Sequence, residues 1–166
     1  VYLIFTNEEN FFGFSEKNVD RKRPEKSKKY PHELDWKLTR VMINLIGLQK
    51  GETVCDPFCG TGTTLLESES MGINAIGIDF DEKMYEISKE NLRINNYKSK
   101  ILKSDFQELV KISKDFDGIV TDLPYGRSSK ASEKPEEILK KFIAIIPKHK
   151  KIAIMYKKEL DPKMKL

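Results

Sequence analysis

Apolar and polar positions along the chain fall into two regimes. Residues 1–5 (VYLIF) and 11–14 (FFGF) are short β-prone runs around the polar Thr6–Asn10, the pattern of a hairpin. A polar, basic connector follows to Tyr30. From Asp35 the apolar Leu34, Leu38, Val41, Met42 and Leu45 recur at helical spacing and form the apolar stripe of a predicted helix. Asp35 is placed to cap it and Gly47 to stop it. An alternation of strands and helices then begins. Thr53–Asp56 reads as a strand, Thr63–Met71 as a helix ended by Gly72, and Ile73–Asp79 (INAIGID) as a strand of the buried type. Asp81 caps a helix that carries Met84, Ile87 and Leu92 toward Asn96. Lys100–Lys103 is a predicted strand, Phe106–Ile112 a short helix, and Asp117–Thr121 (DGIVT) another strand. Pro135 opens a helix with Ile138, Leu139, Phe142 and Ile145, and Lys151–Tyr156 (KIAIMY) is the fifth strand.

Strands that alternate with helices need crossover connections. The expected fold is therefore α/β, a doubly wound, mainly parallel sheet with helices on both faces. The expected division is a hairpin and basic linker over 1–30 and the sheet domain over 31–166. The chain stops soon after the fifth strand, so either the sheet edge is short or part of a longer parent is missing.

Composition narrows the class. The 166 residues are 39% apolar, which suits one compact α/β-sized domain with one core, and nothing in the chain reads as two. No apolar run approaches the roughly 20 residues that span a bilayer, so no membrane partner is expected. The chain begins at Val1, so a start upstream is expected, and the lack of a leader says little about targeting. The formal charge of +4 matters less than its placement: residues 21–30 (RKRPEKSKKY) hold six basic side chains against the single acid Glu25. Lys140, Lys141, Lys148, Lys150, Lys151, Lys157 and Lys158 make a second basic stretch. Such runs can follow a phosphate backbone, and they equally suit a solvated, charge-rich surface. Cys55 and Cys59 are too few for a closed zinc site and read as small buried residues in a reducing cytosol. His32 and His149 are too isolated for a metal site or a triad, so no metal is expected.

Residues 53–66 (TVCDPFCGTGTTLL) place an acid, Asp56, at a strand end, followed by a Gly-containing turn and a helix. In open parallel sheets ligands bind at the carboxyl ends of strands near the switch in strand order. Gly60 and Gly62 permit a tight turn and close backbone approach. A dinucleotide loop would carry a third glycine where Thr64 stands, and a phosphate-binding P-loop would carry a lysine that this loop lacks. The acid and the DPFCGTG string instead resemble motif I of class I S-adenosylmethionine-dependent methyltransferases. S-adenosyl-L-methionine has no phosphate to repel Asp56 and carries a cationic amino group. The resemblance implies cofactor contacts from Asp56, Phe58, Gly60, Thr61 and Gly62. Asp79 ends the second strand of the alternation, where a carboxylate can accept from both ribose hydroxyls, and Phe80 next to it is a further expected cofactor contact. Asp105 stands where such enzymes address the adenine amine, with Phe106 beside it to pack on the ring; an ordinary N-cap is the alternative for Asp105.

Asp122-Leu123-Pro124-Tyr125 directly follows the strand at 117–121 and resembles the [D/N]-P-P-[Y/F/W] motif of methyltransferases acting on planar amino groups. An exocyclic base amine is a poor nucleophile because its lone pair is delocalised into the ring. Two oxygen acceptors on its hydrogens draw the nitrogen toward a tetrahedral form. Asp122 can supply one and the Leu123 carbonyl the other. Pro124 biases Leu123 away from the α region, and Tyr125 offers a face for the base. Asp122 can also take the released proton.

The longer string D-x-P-Y-G-R-S-[ST] is similar to the archaeal tRNA guanosine-10 N2-methyl/dimethyltransferases and their eukaryotic relatives. Pro31, Leu34, Leu38 and Arg40 with Val-Met-Ile-Asn-Leu-Ile resemble the same family's H-P-G-x-M-x-P-x-L-A-R-x-M-V-N-L segment. The likeness runs over about residues 20–130. Tyr30 and His32 replace its His and Gly, and Leu123 replaces the first proline of D-P-P-Y. The resemblance implies a cytoplasmic enzyme that methylates guanine N2 in tRNA. It also implies an N-terminal THUMP-type RNA-binding domain in the parent, for which the hairpin would be the linker. Arg127 would reach a phosphate or the base, with a surface salt bridge as its alternative. Amino-methyl transfer to adenine or cytosine, and a non-catalytic RNA-binding module, are the competing readings.

Overall fold

All five strands expected after residue 50 form, and they lie parallel in one sheet. The computed structural model describes residues 2–5 and 10–13 as backbone, and residues 23–27, 33–124 and 134–156 in full. The hairpin is present as β1 (Tyr2–Phe5) and β2 (Asn10–Gly13), antiparallel with Tyr2 opposite Gly13. Then come α1 (Trp36–Leu45), β3 (Thr53–Asp56), α2 (Thr63–Ser70), β4 (Asn74–Asp79), α3 (Glu82–Ile94) and β5 (Lys100–Lys103). A 3-10 turn (Phe106–Val110), β6 (Gly118–Asp122), α4 (Pro135–Ile145) and β7 (Lys151–Met155) complete the order. From β3 the chain winds outward to β5, then returns to place β6 on the other side of β3. In the sheet order β5-β4-β3-β6-β7 the winding reverses there, the position at which open α/β sheets bind their ligands.

Local chemistry explains the element ends. Asp35 and Asp81 sit in extended backbone before α1 and α3, each with a carboxylate accepting two amides of the first turn. A cap of this kind contributes about 1 kcal/mol. Pro135 opens α4 at a position where its missing N–H costs nothing, with Glu136 and Glu137 in the first turn of the helix dipole.

Neighbouring residues of each central strand face opposite layers. Val54 and Val120 pack with α1 and α2, while Cys55 and Ile119 pack with α4 and the 3-10 turn. The helix stripe expected for α1 is corrected by the structure. Met42 is buried, but with Thr39, Ile43 and Ile46, whereas Leu38, Val41 and Leu45 are exposed at 37%, 51% and 76%. This helix carries two apolar stripes, and the sheet selects between them. Gly118 has no side chain, and a Cβ there would stand 3.0 Å from the Ile46 Cδ1. The gap at Gly118 admits Ile46 and so sets the helix rotation.

Gly77 on β4 makes a similar accommodation. A Cβ there would meet the Cys59 Sγ at 2.8 Å and the Leu65 Cδ2 at 2.9 Å. Gly77→Ala is expected to lower stability by about 1–3 kcal/mol, the usual cost of overpacking. Urea denaturation checks this, and an unchanged midpoint would mean that Cys59 and Leu65 yield without cost.

Candidate functional site

The carboxyl edge of the sheet is lined with acids. Asp56, Asp79 and Asp122 are the last residues of β3, β4 and β6, and Asp105 follows β5 by two residues. The glycine loop folds over this edge. Cys59 donates its amide to the Ile78 carbonyl (3.0 Å), and Gly62 donates to Cys59 (2.8 Å). Gly60 (φ 51°) and Gly62 (φ 83°) both take the left-handed conformation that glycine adopts freely. Gly62 also lies against α3, where a Cβ would sit 3.2 Å from that of Ser88, whereas a Cβ on Gly60 would meet nothing within 4 Å.

Asp79 joins this loop to α3. One carboxylate oxygen accepts from the Gly60 amide and the other from the Asp81 amide, both at 2.9 Å. Burial raises its carboxyl above the ordinary range, against those two hydrogen bonds. Asp56 lies deeper, at 4% exposure. Its Oδ1 accepts from the Thr121 hydroxyl (2.7 Å) and the Phe58 amide (3.1 Å), and Thr64 bonds to the same carboxylate. Burial pushes its carboxyl up to about 6, these hydrogen bonds oppose the rise, and the Asp122 charge adds to it. The result is a brace across the switch point, joining the end of β3 to the residue before Asp122.

Other expected residues divide. Phe58 and Phe106 come together with ring centroids 5.1 Å apart, and Phe142 packs edge-on against both. Phe80 is 47% exposed. Thr61 is buried and hydrogen-bonded through its hydroxyl to Glu33 (2.8 Å). Asp105 is exposed and caps the 3-10 turn, accepting from the Gln107 amide at 2.9 Å. Leu123 is buried, with its amide donated to the Met155 carbonyl (3.2 Å), and Pro124 is half-buried. The residue that follows Asp122 is thus pinned to β7. Tyr125, Gly126–Ser129 with Arg127, and Tyr30–His32 lie outside the described residues. Cys55 and Cys59 are free and buried, with thiols pushed up by burial, as expected of structural cysteines. Among the described residues no three His, Cys, Asp or Glu side chains converge on a metal position.

Sequence reasoning misses Thr64 and Thr121. Both carry a signal: Thr64 fills the third-glycine slot, and Thr121 is the hydroxyl in an otherwise apolar strand, one residue before Asp122.

A doubly wound parallel sheet with an acid-lined carboxyl edge and a lysine-free glycine loop over its central strand defines a methyltransferase-type α/β domain. The chain belongs to the UPF0020 family, described as RMKL-like, methyltransferase domain, which matches residues 23–163. It is 39% identical over 134 residues to the tRNA (guanine(10)-N2)-dimethyltransferase of Methanothermobacter thermautotrophicus, across 78% of this chain and 39% of that protein. It is 34% identical over 139 residues to the enzyme of the same name from Methanocaldococcus jannaschii, with the same coverage. The chain thus spans about two fifths of the length of these curated relatives. Its fold is similar to that of TrmN from Thermus thermophilus, with a TM-score of 0.59 at 23% identity over 73% of this chain and 38% of that one.

Proposed function

We propose that this chain is the S-adenosyl-L-methionine-dependent catalytic domain of an enzyme that methylates the exocyclic N2 amine of a guanosine in tRNA. The observation that carries this reading is Asp122. It ends β6 beside the central strand, directly before Leu-Pro-Tyr in the sequence, in a chain whose relatives at 34–39% identity are named for that reaction. The acid edge fits the donor. Asp56, Asp79 and Asp122 offer a cationic ligand a favourable field and would repel a phosphate. Gly60 leaves open space where a side chain would intrude. Asp79, Phe80, Asp105, Phe106 and Phe58 would hold the nucleoside part, and Asp56 with Gly60–Gly62 the amino-acid part. The donor supplies an electrophilic methyl on its sulfonium.

The remaining chemistry belongs to the chain. Asp122 would accept one hydrogen of the target amine and the Leu123 carbonyl the other, which localises the nitrogen lone pair. Tyr125 would stack on the base, and Asp122 would receive the proton released on transfer. The buried Leu123 side chain and its amide bond to Met155 support a rigid turn, so positioning needs no reorganisation at the moment of reaction. The missing part of the curated relatives' length leaves room for an RNA-gripping THUMP-type domain in the parent, and a cytoplasmic setting follows from the tRNA substrate.

Transfer of labelled methyl from S-adenosylmethionine to tRNA transcripts, each with one guanosine replaced, tests this reading. Labelling of tRNA is expected, and its loss on replacement of a single guanosine. Labelling that survives every guanosine replacement, or that enters adenine or cytosine in rRNA or duplex DNA, would favour another amine substrate. Absence of any heat of mixing with S-adenosylmethionine alongside tight RNA binding would favour a non-catalytic module.

A further inference from the structure

Part of the basic connector is buried against the glycine loop. Lys26 lies in the lysine-rich run at 21–30, yet its side chain is 3% exposed. Its Nζ donates to the Glu33 Oε2 (2.9 Å), the Thr63 Oγ1 (2.6 Å) and the Thr61 Oγ1 (3.3 Å). An ammonium has three protons, and these three contacts use them all. Lys26 is therefore unavailable to a nucleic-acid phosphate, which corrects the reading of the basic run at this position. The Thr61 hydroxyl in turn donates to the same Glu33 oxygen at 2.8 Å.

A second clamp works from α3. Asn91, fully buried, donates its Nδ2 to the Thr61 carbonyl (2.9 Å). Its Oδ1 accepts from the amide (2.9 Å) and the hydroxyl (3.0 Å) of Ser27. One turn on, Asn95 exchanges two hydrogen bonds with the backbone of Glu25 (2.8 and 2.7 Å). Thr61 stands between the two left-handed glycines, and both its hydroxyl and its carbonyl are held from outside the loop.

The placement of Lys26 is costly. An ammonium at the start of α2 opposes the helix dipole, and burial disfavours its charge, lowering its pKa despite Glu33. Packing alone is better served by an apolar side chain of that length. What only the charged pair achieves is a fixed position for two loop hydroxyls. A loop turning on two glycines has few restraints of its own.

We propose that Lys26, Glu33 and Asn91 are positioning residues that hold Thr61, and through it Gly60–Gly62, in the shape that receives the methyl donor. This rests on the donor reading above and adds to it residues that lie outside the loop. Lys26→Met keeps the stem and removes the charge. In the folded variant, calorimetry is expected to give a donor dissociation constant raised about tenfold or more, as for loss of hydrogen bonds to a charged group. KM for the donor should rise with it, and kcat at saturating donor should stay within about twofold, since Asp122 is untouched. Thr61→Val should give a similar loss, and the double variant no more than either single change, because both cut the same connection. A purely structural Lys26 would lower the melting temperature and leave donor affinity alone, and that outcome overturns the proposal. Should Lys26→Met fail to fold, hydrogen exchange on the wild-type chain decides instead. Donor should then protect amides 60–63 and 25–27 together, and protection confined to 60–63 refutes the link. If the wild-type chain itself binds no donor, the donor reading fails first and carries this inference with it.

Discussion

Asp122→Ala is expected to reduce kcat by about 100- to 10,000-fold, the span covered by a positioned proton acceptor. Donor affinity should stay within about tenfold of the wild type. The asymmetry follows from what Asp122 is proposed to do. The resting amine is planar and binds with little help from a carboxylate. The reacting amine, pyramidal and shedding a proton, needs an acceptor at that position, so the interaction is realised in the transition state alone. An effect of this kind appears in kcat and in kcat/KM to the same degree. Asp122→Asn, which retains an acceptor oxygen but cannot take the proton, should fall between alanine and wild type. Single-turnover methylation with calorimetry of donor binding checks both variants. Equal loss of transfer and of donor binding in Asp122→Ala would falsify the assignment, since it would make Asp122 a part of the donor pocket.

Asp56→Asn should stabilise the protein above neutral pH while weakening donor binding. Its carboxyl is raised from 3.8 to about 6, chiefly by burial. A raised folded-state value means that the folded protein holds the proton more tightly than the unfolded chain. The associated stability is present in full below about pH 4 and is lost as pH rises through about 6. Above that, an ionised Asp56 burdens the fold by up to about 3 kcal/mol, since each tenfold gain in proton affinity corresponds to roughly 1.36 kcal/mol. Asparagine keeps an oxygen for Thr121 and the Phe58 amide without the charge. Urea midpoints should therefore favour Asp56→Asn at pH 8, with the gap closing toward pH 4. A gap independent of pH, or one of opposite sign, would contradict the buried, raised carboxyl. The loss in donor affinity would reflect removal of a negative charge from the proposed site of a cationic ligand. Retention of a destabilising charge beside the proposed catalytic residue Asp122 is the trade often found where function sets the residue.

Thr53–Asp56 and Lys100–Lys103 are legible to the residue because short apolar runs between turn-forming polar clusters have one compatible state in an alternating chain. Asp35 and Asp81 are legible as caps because the carboxylate acts within its own turn. The same holds for Gly60 and Gly62, whose left-handed backbone is a local requirement. In α1 periodicity points to Leu38, Val41 and Leu45, and these face outward, since two stripes of similar apolarity differ only in what the sheet admits beneath them. Asp105 shows the reverse: a cap is one of the two roles its position allows, and it is the contact the fold makes.

Local chemistry, written in the order of residues, determined the strand and helix sequence, the helix caps, the glycine turn and the acids that end the strands. Each depends on neighbours within a few positions, and proximity along the chain is all that a sequence displays. The strand order β5-β4-β3-β6-β7, the Thr121–Asp56 brace and the burial of Lys26 against Thr61 and Thr63 were decided by the tertiary structure. Those contacts join residues 65, 35 and 37 positions apart, and such separations are closed only by the packing of the whole sheet and its two helical layers.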